Sequence, residues 1–112
     1  RVVEICSGDL GGKQTKQYDI EGWFPRQDEY QELTSASNTG EYQSATLNVK
    51  YVDGDEKKFC HMLNNTMVAT SRAMVAILEN FQNEDGTITI PKPLRKYMNN
   101  KKKIGGLKNG RK

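Results

Sequence analysis

Between residues 66 and 82 the chain holds its one long stretch of helical periodicity, and almost everything around that stretch alternates like a strand. Met67, Met74, Ile77, Leu78 and Phe81 fall on one apolar band, while Val68, Ala69, Ala73, Val75 and Ala76 leave little polar surface elsewhere. That pattern predicts a largely buried helix, about 25 Å long at 1.5 Å per residue. Asn64 or Asn65 stands where a short side-chain oxygen accepts a free first-turn N–H.

The strand-like segments are short and joined by turn residues. Arg1 to Cys6 is extended, and Ser7 to Gly12 is a turn-forming stretch. Gln17 to Phe24 places Tyr18, Ile20 and Phe24 on one side and Asp19, Glu21 and Trp23 on the other. Tyr30 to Ser35 is a further extended segment, followed by a loop from Ala36 to Glu41. Thr46 to Val52 and Lys57 to Leu63 alternate around Asp53-Gly54-Asp55-Glu56 and read as a hairpin, with His61 facing inward beside Phe59 and Leu63. Thr87 to Ile90 is a last short strand, and Pro91 to Pro93 sets off a helical turn through Met98. Strands with hairpin-length links, one buried helix and no βαβ rhythm predict the α+β class: an antiparallel β-sheet backed by one long buried helix.

A length of 112 residues suits a single domain. The formal charge of +3 comes mainly from the lysines and arginine after residue 100, so residues 1–98 form the expected folded part. Residues 99–112 are an expected basic, disordered tail, which either touches an RNA backbone or keeps the chain end solvated. Cys6 and Cys60 lie far apart, without a CxxC or a histidine at zinc-ligand spacing, so neither a disulfide framework nor a structural zinc is expected. No apolar run approaches the roughly 20 residues of a membrane span, and no signal peptide is evident. The expectation is a soluble protein acting in the cytoplasm or, alternatively, the mitochondrial matrix. The chain opens without Met and directly in a strand, which reads as a piece of a longer protein.

Among residues able to carry chemistry, Arg72 constrains most. A guanidinium placed mid-helix among alanines and valines must escape to solvent or meet an anion, either a carboxylate from the sheet or a phosphate that its planar donors grip in pairs. Glu79, two turns on, is too distant along the axis to be that partner. Glu32 and Ser35 supply the hard oxygens that Mg²⁺ takes alongside phosphates, but on a regular strand they point to opposite faces and converge only if the strand bends. Asn64 and Thr66, before the helix, are either caps or ligands. Generic phosphate-loop, zinc-protease and hydrolase signatures are absent from the sequence.

Taken in order, several blocks resemble the C-terminal half of seryl-tRNA synthetases from Val2 to about Met98. They are Gly8-Asp9-Leu10-Gly11, Tyr18-Asp19-Ile20-Glu21 with Trp23-Phe24-Pro25, Tyr30-Gln31-Glu32-Leu33 with Ser35-Ala36-Ser37-Asn38, His61 to Thr66, Ala76 to Gln82, and Ile90-Pro91 with Leu94 to Met98. Gln14 to Gln17 and the Lys-rich end look most like the eukaryotic cytosolic branch.

The resemblance implies a class II synthetase that joins serine to ATP and passes the seryl group to serine tRNA. It identifies Arg72 with the motif 3 arginine on ATP phosphate, Glu32 and Ser35 with ATP and magnesium ligands, and Asn64 and Thr66 with the serine pocket. It also implies a homodimer for the complete protein, built through motif 1. Motifs 1 and 2 are not in this chain, so the resemblance implies that these residues alone do not aminoacylate. Ala45 stands where the family usually has an arginine, and the alternative to an enzyme is a non-catalytic, synthetase-like binding or assembly module.

Overall fold

The computed structural model describes residues 1–106. Its centre is a four-stranded antiparallel sheet. Strand β1 (Val2–Glu4) pairs with β2 (Lys16–Phe24), β2 with β3 (Glu29–Asn38), and β3 on its far side with β6 (Leu63–Asn65). The hairpin of β4 (Lys50–Asp53) and β5 (Glu56–Phe59) stands apart from that sheet. It turns through Gly54, whose φ of 63° is the left-handed value that a tight hairpin turn needs. A third, two-stranded unit pairs β7 (Thr87–Thr89) with β8 (Lys103–Gly105) around a 3-10 helix, Lys92–Tyr97.

The antiparallel α+β expectation holds, but the helix differs from its sequence reading. Helix α2 runs only over Thr70–Asn80, and none of its residues is buried. It starts late because Met67 has a φ of 67° and Ala69 is extended, its N–H donating to the Leu33 carbonyl at 2.7 Å instead of entering a helical turn. It stops at Asn80, whose side-chain amide donates to Trp23 O and Ala76 O, both at 2.8 Å. It stays accessible because it lies against β2 and β3 along part of its surface only. The remaining apolar band, with Ile77 and Leu78, lines an open groove of about 400 Å³ facing Ile88, Ile90, Leu94 and Ile104. Phe24 and Ile90 are the only buried hydrophobic residues among those described.

Three further expectations change. Tyr42–Leu47 is a short helix, α1, whereas a strand was expected to begin at Thr46. Local side-chain bonds accompany the helical turn: the single hydroxyl proton of Ser44 is shared between Cys60 O at 2.5 Å and Glu41 O at 3.0 Å, and Thr46 Oγ1 donates back to Tyr42 O at 3.0 Å. Asn48, at φ 54°, then ends α1 in a left-handed cap. His61 does not face a core, because β5 ends at Phe59; its ring is exposed, 3.8 Å from Glu41.

The expected tail is structured in part, since β8 places Ile104 opposite Ile88 and Lys103 lies 3.7 Å from Asp85. The remainder of that tail, residues 107–112, lies outside the described residues. Among the described residues no helix is long and apolar enough to cross a membrane.

Candidate functional site

The register between β2 and β3 decides what the sheet presents. From Lys16↔Asn38 to Ile20↔Thr34 the pairing is regular; it resumes at Glu21↔Glu32, leaving Leu33 unpaired as a bulge. Residues opposite one another in an antiparallel ladder share a face, and successive residues alternate. Asp19 and Glu21 therefore share a face, and so do their partners Ser35 and Glu32. The single extra residue brings together two side chains that a regular strand would hold on opposite sides. Gly22 makes room for it, because a side chain there would begin 2.8 Å from Leu33 Cδ1.

The same face continues outward. Gln17 lies opposite Ser37, and Ser37 lies opposite Asn64. Gln17 Nε2 donates to Asp19 Oδ1 at 2.8 Å and Ser37 Oγ donates to Gln17 Oε1 at 3.2 Å, so these polar groups are mutually satisfied although Asp19 and Ser37 are buried. At the other end Arg1 Nε donates to Glu21 Oε2 at 2.6 Å while its guanidinium sits 4.2 Å over the Tyr30 ring.

Arg72 reaches this face from α2. One guanidinium nitrogen donates to Glu32 O at 2.8 Å and to Glu32 Oε2 at 3.3 Å. Arg72, on a helix expected to be buried, is half-exposed, with 48% of its side chain and 41% of that of Glu32 accessible. An ion pair so open to water contributes about 0–1 kcal/mol. It is a displaceable contact, and both partners remain available to a ligand.

The segment leading into α2 is fastened along β3 residue by residue. Arg72 binds at Glu32, the Ala69 N–H at Leu33, and the Asn65 side chain at Thr34 Oγ1 and at Ser35 O, 3.3 and 2.7 Å away. Asn64 and Thr66 ride on this fastened segment. Neither caps the helix, whose N-cap position is Ala69 without a side-chain bond.

Glu32 and Ser35 thus share a sheet face with Asn64, Arg72 bonds to Glu32, and Thr66 lies directly beyond the end of β6. Sequence reading missed the supporting residues, Leu33 and Asn65. A bulge leaves no residue-type signature, but the Asn65 bond to the Met67 N–H is the Asx-turn pattern that asparagine favours before an irregular residue.

The donor set fits a hard, oxygen-seeking cation that completes its shell with phosphate and water. Glu32 offers a carboxylate and Ser35 a hydroxyl, and among the described residues no group of three or more His, Cys, Asp or Glu is placed to hold a metal by itself. Mg²⁺ takes one or two protein oxygens in that manner, with substrate phosphates supplying the rest.

Residues 1–81 match the family described as "tRNA synthetase class II core domain (G, H, P, S and T)". A serine–tRNA ligase of Methanospirillum hungatei is 55% identical over 104 residues, covering 90% of this chain and 24% of that protein. One of Pyrococcus horikoshii is 54% identical over 99 residues, covering 87% of the chain and 22% of its own length.

Among solved structures, the seryl-tRNA synthetase of Pyrococcus horikoshii complexed with ATP superposes with a TM-score of 0.89 at 49% identity, over 96% of this chain and 24% of that one. The cytoplasmic serine–tRNA ligase of Naegleria fowleri in complex with AMP gives 0.85 at 46% identity, over 97% and 26%. The chain spans about a quarter of the length of the relatives it matches. It belongs to the class II tRNA synthetase core-domain family, and the relatives that share about half of its residues are serine–tRNA ligases.

Proposed function

We propose that this chain is the C-terminal part of the catalytic domain of a serine–tRNA ligase, acting in the cytoplasm or, alternatively, the mitochondrial matrix. The reaction joins the serine carboxylate to the α-phosphorus of ATP, releasing pyrophosphate. A terminal ribose hydroxyl of serine tRNA then attacks the seryl carbonyl and releases AMP. The observation that carries this reading is the placement of Glu32 and Ser35 on one face by the Leu33 bulge, with Arg72 at Glu32.

Arg72 exchanges its exposed contact with Glu32 for an ATP phosphate, where a guanidinium is matched in charge and geometry. Glu32 and Ser35 would hold Mg²⁺, which would supply charge neutralisation to the phosphates. Asn64, opposite Ser37 in the ladder, and Thr66, directly beyond the end of β6, line the serine pocket. Chemistry of this type rests on positioning and electrostatic stabilisation, and none of these residues forms a covalent bond to substrate. Motifs 1 and 2, the homodimer contact and the tRNA-gripping arm belong to the remainder of the ligase.

Serine-dependent exchange of pyrophosphate into ATP, measured on the complete polypeptide that contains this chain, tests the proposal. Exchange above background that is lost when serine is omitted supports it. Folded protein without exchange overturns it in favour of a non-catalytic module.

A further inference from the structure

We propose that Asn65 is a positioning residue that fixes Ser35 against the turn carrying Thr66, so that the metal-and-phosphate half of the site and its amino-acid half keep one spacing. The inference rests on the functional reading above and adds to it a residue that touches neither substrate nor metal.

The argument begins with sheet geometry. Asn65 lies opposite Ala36, so its side chain belongs to the face opposite that of Asn64, Ser37 and Ser35. It works from behind the site. Strand β6 contributes only Leu63–Asn65 to the ladder, and no further β6 residue is available to pair with Ser35. The Asn65 side chain takes over where the backbone ladder ends. Its amide nitrogen donates to Ser35 O at 2.7 Å and to the buried Thr34 Oγ1 at 3.3 Å. Its oxygen accepts the N–H of Met67. One side chain therefore spans from β3 to the residue directly after Thr66.

The second half of the argument is conformational. Met67 has a φ of 67°, and the Val68 N–H donates to Thr66 O at 2.8 Å, closing a three-residue turn that is rare and strained for a residue with a side chain. Nothing in the packing of Met67 holds it there, since 83% of it is exposed. The hydrogen bond from its N–H to Asn65 is the local restraint that counteracts the strain. Removing Asn65 frees that turn and unfastens Ser35 in the same step. A shared support of this kind behaves like the outer-shell partner of a metal ligand, whose loss typically weakens metal affinity about 10- to 100-fold.

The test compares wild type, Asn65→Ala and Asn65→Asp in the complete polypeptide. Three readouts are the Mg²⁺ concentration for half-maximal serine-dependent ATP–pyrophosphate exchange, the KM for serine, and Tm. Asn65→Asp keeps the oxygen that accepts from Met67 but lacks the hydrogens donated to Ser35 and Thr34. It is expected to raise the Mg²⁺ requirement about tenfold and to lower Tm modestly, since a carboxylate oxygen then faces the Ser35 carbonyl, with the KM for serine near wild type. Asn65→Ala is expected to raise both the Mg²⁺ requirement and the KM for serine.

A lowered Tm in either variant, with Mg²⁺ requirement and KM unchanged, overturns the proposal and leaves Asn65 a purely structural residue. Wild-type behaviour of both variants also overturns it, with the enzymatic reading intact. Absence of exchange in the wild type overturns the enzymatic reading itself, and the role of Asn65 with it.

Discussion

The Arg72 guanidinium donates simultaneously to the main-chain carbonyl and to the carboxylate of Glu32, at 2.8 and 3.3 Å, from a position where half of each side chain is open to water. The pair contributes little to folding and is poised for exchange. Arg72→Ala in the complete polypeptide should therefore leave stability within about 1 kcal/mol of wild type. It should lower kcat/KM for ATP in the exchange assay about 10²- to 10³-fold, as expected when a donor to developing charge is removed. Arg72→Lys should recover only part of this loss, because an ammonium cannot present paired planar donors. Denaturation midpoints alongside exchange kinetics separate the two effects.

Gly22 and Leu33 should be coupled. A methyl group at residue 22 would meet Leu33 Cδ1 at 2.8 Å, so Gly22→Ala forces the Leu33 side chain to repack beside Glu32. Overpacking of this kind costs about 1–3 kcal/mol. The double variant Gly22→Ala with Leu33→Ala should regain much of the stability lost by Gly22→Ala alone, which a double-mutant cycle by chemical denaturation measures. Strict additivity of the two single changes would show that the glycine does not accommodate the bulge.

Met67 tests the strained turn directly. Because 83% of it is exposed, its substitution loses little packing, and the backbone conformation decides the outcome. Met67→Val, with a branched side chain in the left-handed region, should destabilise by about 1–3 kcal/mol. Met67→Gly should be neutral or stabilising by up to about 1 kcal/mol, relief of the left-handed penalty being partly offset by greater freedom of the unfolded chain. Thermal denaturation of the two variants ranks them.

The β7–β8 unit should loosen in acid. The side-chain hydroxyl and the backbone N–H of Thr87 bind the Asp85 carboxylate, and Lys103 stands nearby, so its pKa is held below the usual carboxylate value. A carboxylate with a lowered folded pKa stabilises the fold above its unfolded pKa, about 4, and that contribution is lost as pH falls through the folded value. Amide exchange at Thr87, followed by NMR, should show protection that is constant above about pH 5 and declines below about pH 4. Asp85→Asn should flatten that dependence.

How much of this was readable beforehand varies by residue. The alternation of Tyr18, Ile20 and Phe24 against Asp19, Glu21 and Trp23 is a period-two signal, and β2 follows it. The convergence of Glu32 with Ser35 was legible only as a condition, because a bulge at Leu33 depends on its neighbour Gly22 across the ladder and not on local residue types. The burial of α2 was misread for a related reason. An apolar helix band states what a surface would bury, whereas the groove beside Ile77 and Leu78 is open within these 106 residues. His61 and Thr46 were assigned by extending an alternating pattern past Phe59, where β5 ends, and before Lys50, where Tyr42–Leu47 form a helix instead.

The most direct measurement is diffraction from crystals of the complete polypeptide grown with ATP and Mn²⁺ in place of Mg²⁺, collected at the manganese edge. The expected result is an anomalous peak within about 2.3 Å of a Glu32 carboxylate oxygen and the Ser35 hydroxyl, together with transfer of the Arg72 guanidinium from Glu32 to a phosphate oxygen. Nucleotide bound elsewhere, or bound with Arg72 still on Glu32 and no metal at Glu32 and Ser35, would contradict the assignment.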